Sequence, residues 1–521
     1  MVSVAPIATP TDSTEGKYPK PYWSSFEVLG LLFPILIFLL LRVPFVIHAA
    51  GQMDEQWFSV PGWTVWNEGI PRIPYCPTRV RETFFENADK CLFALPPALH
   101  YFQAPFEGIL GPGYASSRIP SLLAGIAGLI VLGLWFRRVF PSPWVWSSSL
   151  LLITLSRPWM FTSITARPDL CCAVCGWFAL YQLWNASEQP DSYRFFIRAG
   201  LACGLGMLFH PFALVSCLQC GVWVLLLKGT LRQRLVRGSI LTGTALAVFS
   251  LWLPLILAYP DEFRSQFMSN VLERSGPGLG QRLLWPWPYI AHHLRYQWEF
   301  NSTYQFLLLL IGLPLGTILG LLTKDEGQGK HFKYSLIVWS SCYLTASIAG
   351  IHPTKGYWVV PISLAYPIVV QAFLQITERV TSQQLNPSWL GVLRMGSIGC
   401  LVVVLLPGAG LRTWSGYMAN WGKPEVHAKR FLHQVLLEYP NQGLFMADVN
   451  YVFEIYLTGR DTVLCQPREH FWKENPPPLQ YLFIGQEGRD FESPRDYQVH
   501  LSARYGDESW PSHCWVEVYC P

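Results

Sequence analysis

The pair Asp54-Glu55 places two reactive side chains at a position that suits chemistry. It follows an apolar run from Val28 to His48, so both carboxylates lie just beyond the end of a predicted helix. Partial desolvation at such a boundary raises the pKa of a carboxyl group toward the value that a general base needs. We therefore regard Asp54 and Glu55 as catalytic candidates, and a charge pair that only ends the helix is the alternative.

A second charged group, Arg167-Pro168-Asp169, lies in a very short segment between two apolar runs. Charges so close to a hydrocarbon boundary are costly, and they are usually paired or functional. Arg167 is a candidate for binding a substrate phosphate, and Asp169 is a further catalytic candidate. The alternative is a mutual salt bridge.

His210-Pro211 and Lys355 occur in two other short segments. Proline breaks a helix, so His210 either binds a substrate or caps the broken backbone. Lys355 is a compact cation suited to a phosphate, or else an interfacial lysine with its stem along apolar surface. His292-His293 can bind a metal only where the backbone bends, because adjacent side chains point apart. The metal requirement therefore stays unknown, and a divalent ion has no support in the sequence.

Apolar helices must position these residues. Of the 521 residues, 51% are hydrophobic and 14% are charged, whereas soluble proteins carry about 25% charged residues. This composition excludes a disordered chain, a coiled coil and a simple soluble enzyme, and the net charge of +4 is too small to indicate nucleic-acid binding. It predicts a polytopic α-helical membrane protein. About eleven runs approach the length of a span: Val28–His48, Arg118–Phe136, Trp144–Thr162, Leu170–Trp184, Ala199–Phe209, Phe212–Leu227, Ile240–Ala258, Tyr304–Leu322, Ser335–Ile351, Tyr357–Ile376 and Leu390–Leu406.

The basic residues orient these spans. With the N-terminus inside, lysines and arginines recur in every inner loop, among them Arg137, Arg138, Arg232 and Arg234, whereas the short outer loops are nearly free of them. The positive-inside rule then places the C-terminus outside. Arg167 and Lys355 are exceptions in short outer loops, and orientation does not explain them.

The predicted organisation has three parts. Residues 1–27 form a cytoplasmic tail, 28–407 form the transmembrane catalytic domain, and 408–521 form a small soluble α/β domain outside the membrane. Within the second part, 49–117 is a large first outer loop with amphipathic helices, and 259–303 is a second outer loop. The soluble domain of residues 408–521 is expected to contain a helix over 424–439 and strands near 444–446, 462–464, 481–484 and 515–519. Cys76 and Cys91, both in the first outer loop, are expected to pair if that loop faces an oxidising space.

Several short motifs, in a fixed order relative to the spans, resemble those of the membrane-embedded GT-C glycosyltransferases. The similar subgroups are the protein O-mannosyltransferases and the bacterial aminoarabinose transferases of lipid A. The resemblance covers roughly residues 25–375. Its motifs are Arg42-Val43-Pro44, Asp54-Glu55, Leu95-Pro96-Pro97-Ala98-Leu99-His100-Tyr101, Ser117-Arg118-Ile119-Pro120-Ser121, Ala166-Arg167-Pro168-Asp169 and Lys355-Gly356-Tyr357-Trp358-Val359-Val360-Pro361.

The resemblance implies an enzyme that takes a hexose or pentose from a polyprenyl-phosphate-linked donor. Asp54 would be the general base, and the acceptor hydroxyl would attack with inversion. Arg118, Arg167 and Lys355 would neutralise the leaving phosphate, with His210 and Tyr357 as further substrate-binding candidates. The sequence itself requires no cofactor, and a divalent metal stays possible but unsupported.

The chain departs from the family at two places. His210-Pro211 stands where many relatives have a Lys-Gly-type pair, and Ala94-Leu95 stands where the aminoarabinose enzymes have a Glu-Lys pair. The acceptor therefore stays open among lipid, protein and polysaccharide. The alternative function is a lipid or sugar transporter or flippase, although charges inside the spans, typical of that class, are nearly lacking here. The expected location is a bacterial inner membrane, with the active site toward the periplasm.

Overall fold

The structure, a computed structural model, describes residues 23–52, 54–79, 85–273, 277–322, 328–352, 354, 356–381, 387–465, 478–488 and 497–521. Helices dominate it. They are α1 (Ser25–His48), α2 (Glu55–Phe58), α3 (Val60–Glu68), α4 (Ala98–Leu110), α5 (Tyr114–Ser117), α6 (Ile119–Val139), α7 (Pro143–Leu155), α8 (Arg157–Ile164), α9 (Asp169–Glu188), α10 (Arg194–Phe209), α11 (Leu214–Leu226), α12 (Leu231–Phe249), α13 (Leu253–Ala258), α14 (Pro260–Phe267), α15 (Leu279–Leu284), α16 (Trp287–Phe300), α17 (Thr303–Leu322), α18 (Gln328–Ala349), α19 (Val359–Thr381), α20 (Pro387–Leu405), α21 (Leu411–Ala419), α22 (Ala428–Leu436) and α23 (Val452–Tyr456).

Within the described ranges, six helices or helix pairs are long and apolar enough to cross a membrane. They are Ser25–His48, Tyr114–Val139, Leu231–Ala258, Thr303–Leu322, Val359–Arg379 and Trp389–Gly408. Pro143–Leu155 and Pro211–Leu226 are shorter apolar helices. The protein is thus a mostly helical membrane protein, and the total of about eleven spans stays a prediction.

Helix α1 has well-defined ends. At its start, Ser24 forms a capping box with Glu27, in which the Glu27 amide donates to Ser24 Oγ and the Ser24 amide donates to Glu27 Oε2. At its end, the Arg118 guanidinium donates to the Ala49 carbonyl at 2.8 Å and to the Ala50 carbonyl at 2.6 Å. A cation here satisfies carbonyls that a helix end leaves without partners.

The described residues of 49–117, the predicted first outer loop, are folded. They contain α2 to α5, and α4 has 13 residues, so it is about 20 Å long and too short for the ~30 Å hydrocarbon core. Cys76 and Cys91 are free thiols, so the expected disulfide is wrong. They are buried in two different hydrophobic clusters, and Cys76 Sγ instead contacts Thr78 Oγ1 at 3.2 Å.

The C-terminal segment contains a five-stranded sheet of order β2-β1-β3-β5-β4. Strands β1 (Leu444–Ala447), β2 (Thr462–Leu464) and β3 (Leu479–Ile484) are parallel, and β5 (Trp515–Cys520) is antiparallel to both β3 and β4 (His500–Gly506). Strand β4 was not expected. In place of the single helix expected over 424–439, a 3₁₀ turn at Pro424–Val426 precedes α22, which ends at Leu436.

Direct hydrogen bonds join the C-terminal segment to the predicted first outer loop. The Tyr114 hydroxyl donates to the Val449 carbonyl at 2.5 Å, and the Leu464 amide donates to the Tyr75 carbonyl at 2.9 Å. The Gly51 amide donates to the Asn450 carbonyl at 3.1 Å, three residues before Asp54. The C-terminal segment therefore helps to fix the backbone that carries the first catalytic candidate.

Candidate active site

Asp54 precedes α2 in a left-handed backbone conformation, with φ of 69°. Aspartate tolerates this conformation better than most non-glycine residues, and such residues often occur at active sites. Its side chain is 30% exposed, whereas that of its neighbour Glu55 is 0% exposed. Two residues that look equivalent in the sequence therefore lie in different environments.

The charged side chains of Asp54, Arg167 and Asp169 are linked to one another by ion pairs. Arg167 Nη1 donates to Asp54 Oδ2, and Arg167 Nε donates to Asp169 Oδ2 at 2.8 Å. Burial opposes the charge on Arg167, but the two carboxylates outweigh it and raise the pKa of the guanidinium. Burial likewise opposes ionisation of Asp169, but the Arg167 guanidinium outweighs it and lowers the pKa of that carboxyl. The two ion pairs of Arg167 therefore join the predicted charged loop of 167–169 to the segment that follows the first span.

Glu55 and Arg118 form a separate, fully buried pair. Arg118 Nε donates to Glu55 Oε1 at 2.8 Å, and Arg118 Nη2 donates to Glu55 Oε2 at 2.6 Å. Glu55 also accepts from the Ala166 amide at 2.7 Å and from the Gln52 amide at 2.8 Å. Both side chains are 0% exposed. This pair therefore connects the backbone segments that carry Asp54 and Arg167, and neither side chain lines the cavity described next.

A cavity of 580 Å³ opens beside Asp54, and we call it the Asp54 cavity. It lies within the usual range for small-molecule sites. Its polar lining includes Asp54, Arg167, His210, Arg282, His352 and Tyr357. Three of the residues singled out in separate parts of the sequence thus converge with Asp54 on one space.

His210 and Tyr357 form one wall of this cavity. The Phe212 amide donates to His210 Nδ1 at 3.0 Å, so the hydrogen of the neutral ring is on Nε2. Burial lowers the pKa of His210 to about 4, so the ring is neutral at physiological pH. The Tyr357 ring stacks on Phe212 with centroids 4.4 Å apart. His210 therefore caps the broken helix with one nitrogen and lines the cavity at the same time.

The loop before α19 packs tightly on Asp169. A Cβ atom at Gly356 would lie 2.5 Å from Asp169 Cγ, so only glycine fits without a shift. Asp169 Oδ1 is buried and has no hydrogen-bond partner among the described residues. Lys355 lies outside the described residues, and its predicted role stays a prediction.

Arg282 is a cavity residue that the sequence analysis missed. It lies on α15, where its Nη1 donates to the Ile348 carbonyl at 2.7 Å and its Nε has no partner in the described ranges. The positive-inside rule restricts lysine and arginine only in short outer loops. Arg282 belongs to a long predicted outer loop, so the rule gave no reason to single it out. It adds a second described cation to the cavity lining.

In the histidine pair of α16, both ring nitrogens of His293 have partners within the protein. Trp358 Nε1 donates to His293 Nδ1 at 3.0 Å, and His293 Nε2 lies 3.0 Å from the Gly350 carbonyl. His293 therefore fixes both ends of the loop that carries His352 and Tyr357. In the part of the chain that the structure describes, no group of three or more His, Cys, Asp or Glu side chains is arranged to hold a metal ion.

An apolar groove of 760 Å³ adjoins the Asp54 cavity. Two stretches of the chain pass from one space to the other. Ala94 and Leu95 line the cavity, and Pro97 and Ala98 line the groove. Likewise, His210 lines the cavity and its neighbour Phe209 lines the groove. The groove walls are almost entirely aliphatic or aromatic, including Leu205, Val174 and Trp252. A polar, cationic space and an apolar space thus lie next to each other.

The predicted resemblance to the GT-C membrane glycosyltransferases is confirmed by comparison with known proteins. Residues 94–257, fewer than half of the chain, match the sequence model of the family described as dolichyl-phosphate-mannose-protein mannosyltransferase. No curated protein sequence matches the chain.

The overall fold is similar to that of ArnT from Cupriavidus metallidurans. The apo structure of ArnT matches with a TM-score of 0.57 at 14% identity, and the match covers 94% of this chain and 97% of that chain. ArnT bound to undecaprenyl phosphate matches over the same shares, with a TM-score of 0.54 at 13% identity. The likeness therefore extends along nearly the whole of both proteins, including the C-terminal segment.

Proposed function

We propose that the protein is a glycosyltransferase that moves a sugar from a polyprenyl-phosphate-linked donor to an acceptor hydroxyl at the outer face of the membrane. The observation that carries this proposal is the contact between the Asp54 cavity and the apolar groove. A lipid-linked sugar has an anionic, polar head and a long hydrocarbon tail, and these two spaces complement it. The undecaprenyl phosphate bound to ArnT supports the same class of ligand.

The donor phosphate would bind beside Arg167 and Arg282, with Lys355 as the third proposed cation. Preorganised cations in a site shielded from water stabilise the charge that develops on a leaving group. His210 Nε2 and the Tyr357 hydroxyl supply neutral donors at the same wall. The tail would lie in the apolar groove, so binding energy from the lipid fixes the reacting carbon near Asp54.

Asp54 would act as the general base. Its carboxylate takes the proton of the acceptor hydroxyl as the oxygen attacks the anomeric carbon from the face opposite the phosphate. The bond from carbon to phosphate oxygen breaks, the lipid phosphate leaves with the electron pair, and the configuration inverts. Arg167 pairs with Asp54, and an incoming phosphate would compete for that guanidinium. Asp169 keeps Arg167 charged and oriented.

Glu55 and Arg118 are assigned to positioning in this proposal, not to catalysis. Their mutual bonds leave no free acceptor or donor directed to the cavity. Inversion, the inner-membrane location and the periplasmic orientation belong to the proposal as well.

The test is sugar transfer by the purified chain in detergent or nanodiscs. The donors are radiolabelled pentose and hexose polyprenyl phosphates, and the acceptor is the envelope fraction of a deletion strain. Asp54→Asn keeps the size and removes basicity, so turnover should fall by about 10²–10⁴-fold. Asp89→Asn is the matched control, because Asp89 is also paired with an arginine in the first outer loop but does not line the cavity.

Two outcomes would contradict the proposal. Transfer at the wild-type rate by Asp54→Asn would place the base elsewhere. Movement of labelled lipid across vesicles without any transferred product would favour the transporter.

A further inference from the structure

A third cavity, of 320 Å³, lies between the outer ends of the membrane helices and the C-terminal segment, and we call it the C-terminal cavity. Gln52, Phe161 and Phe300 line it on the membrane side, and Thr413, Gln486 and Ser512 line it on the other side. None of these residues has a role in the donor site proposed above.

The C-terminal cavity lies close to the proposed base. Gln52 precedes Asp54 by two positions, so their Cα atoms are at most about 7 Å apart. Phe161 lines the cavity and also lies beside Arg167, with its ring centroid 5.5 Å from the guanidinium carbon. The wall of this cavity is therefore in direct contact with Arg167 through Phe161, and Gln52 connects it along the chain to Asp54.

The lining has the chemistry of a site for hydroxyl-rich ligands. Amides and hydroxyls both donate and accept hydrogen bonds, and Gln52, Gln486, Thr413 and Ser512 supply them.

Aromatic rings complete the lining of the C-terminal cavity. Phe161, Phe300, Tyr417 and Trp515 are among its walls. Flat aromatic faces pack against the apolar C–H faces of sugar rings while amides and hydroxyls bind the sugar hydroxyls. The volume is at the small end of the usual range for ligand sites, which suits one or a few sugar rings.

We infer that the C-terminal cavity binds the acceptor, and that the acceptor presents a carbohydrate hydroxyl. This inference rests on the proposed function and names its acceptor class. The attacking oxygen must approach the anomeric carbon from the face away from the carrier phosphate, so donor and acceptor need separate entrances that meet at Asp54. The Asp54 cavity with its groove supplies one entrance, and the C-terminal cavity supplies the other.

The experiment measures two bindings separately on the full chain in nanodiscs. Undecaprenyl phosphate is the probe of the donor site. An array of defined oligosaccharides, beside an array of serine- and threonine-containing peptides, is the probe of the C-terminal cavity. The wild-type protein should bind at least one oligosaccharide.

Two variants locate that binding. Thr413→Trp fills the C-terminal cavity and should abolish oligosaccharide binding. Gln486→Ala removes one hydrogen-bonding amide from an exposed turn and should weaken binding by about two- to tenfold, the equivalent of one hydrogen bond. Gln442→Ala, at an exposed position outside the cavity, is the matched control and should bind as the wild type does. All three variants should keep their affinity for undecaprenyl phosphate.

The inference is overturned if the protein binds peptides in place of oligosaccharides, if it binds neither, or if Gln486→Ala and Thr413→Trp leave oligosaccharide binding unchanged. A failure of the proposed function has a different signature, which is a wild-type protein without affinity for undecaprenyl phosphate. If the Thr413→Trp variant does not fold, the result for Gln486→Ala alone decides the test.

Discussion

Removal of the Glu55 charge should strongly destabilise the protein. Glu55 accepts four hydrogen bonds, two from Arg118 and one each from the Gln52 and Ala166 amides. In Glu55→Gln, one acceptor oxygen becomes an NH₂ group that faces donors. Arg118 would keep its charge at 0% exposure without a counter-ion. Breaking a buried pair in this way costs about 3–5 kcal/mol.

The assay is the thermal unfolding midpoint of the purified protein in one fixed detergent. Glu188→Gln is the control, because Glu188 pairs with Arg138 where the two side chains are 42% and 37% exposed. Such exposed pairs contribute about 0–1 kcal/mol, so the control should unfold near the wild-type midpoint. A Glu55→Gln midpoint equal to that of Glu188→Gln would refute the reasoning. A double variant, Glu55→Gln with Arg118→Gln, should recover part of the loss because it removes the unpaired charge.

Three further predictions concern the loops around the site. Gly356→Ala should weaken the binding of undecaprenyl phosphate, because the added Cβ would lie 2.5 Å from Asp169 Cγ. The control Gly280→Ala has open space around it and should bind as the wild type does, so equal affinities of the two variants would contradict the close packing at Gly356. Lys355→Ala should weaken donor use more than acceptor use, and an unchanged apparent donor affinity would count against a phosphate contact. Burial raises the pKa of both Cys76 and Cys91 to about 12, so both thiols are protonated at pH 8. They should react with iodoacetamide only after denaturation, and rapid labelling of the folded protein would contradict this.

Local sequence patterns predicted the helical membrane class because hydropathy is a local property. The candidate spans Ser25–His48 and Thr303–Leu322 contain the apolar runs from which spans were predicted. Strand β4 was missed for the opposite reason. It is an edge strand with mostly exposed side chains, so His500–Gly506 lacks the apolar alternation that indicates a strand.

The site was predictable in its residues and not in its pairings. Asp54, Arg167 and Asp169 were recognisable because charges beside apolar runs are unusual. The difference between Asp54 and Glu55 was not readable, because it depends on Arg118, which is 63 positions away in the chain. Partners at that separation are set by how the helices pack.

The contact between Gly51 and Asn450 has a consequence for exchange of parts between related proteins. The Gly51 carbonyl accepts from Asn450 Nδ2 at 2.7 Å, and a Cβ atom at Gly51 would lie 2.1 Å from the Val449 carbonyl oxygen. A chimera that combines the membrane helices of this chain with a foreign C-terminal segment would inherit a mismatch within a few residues of Asp54. The two parts are therefore not interchangeable modules, and any graft would have to carry residues 49–52 together with the segment that contacts them.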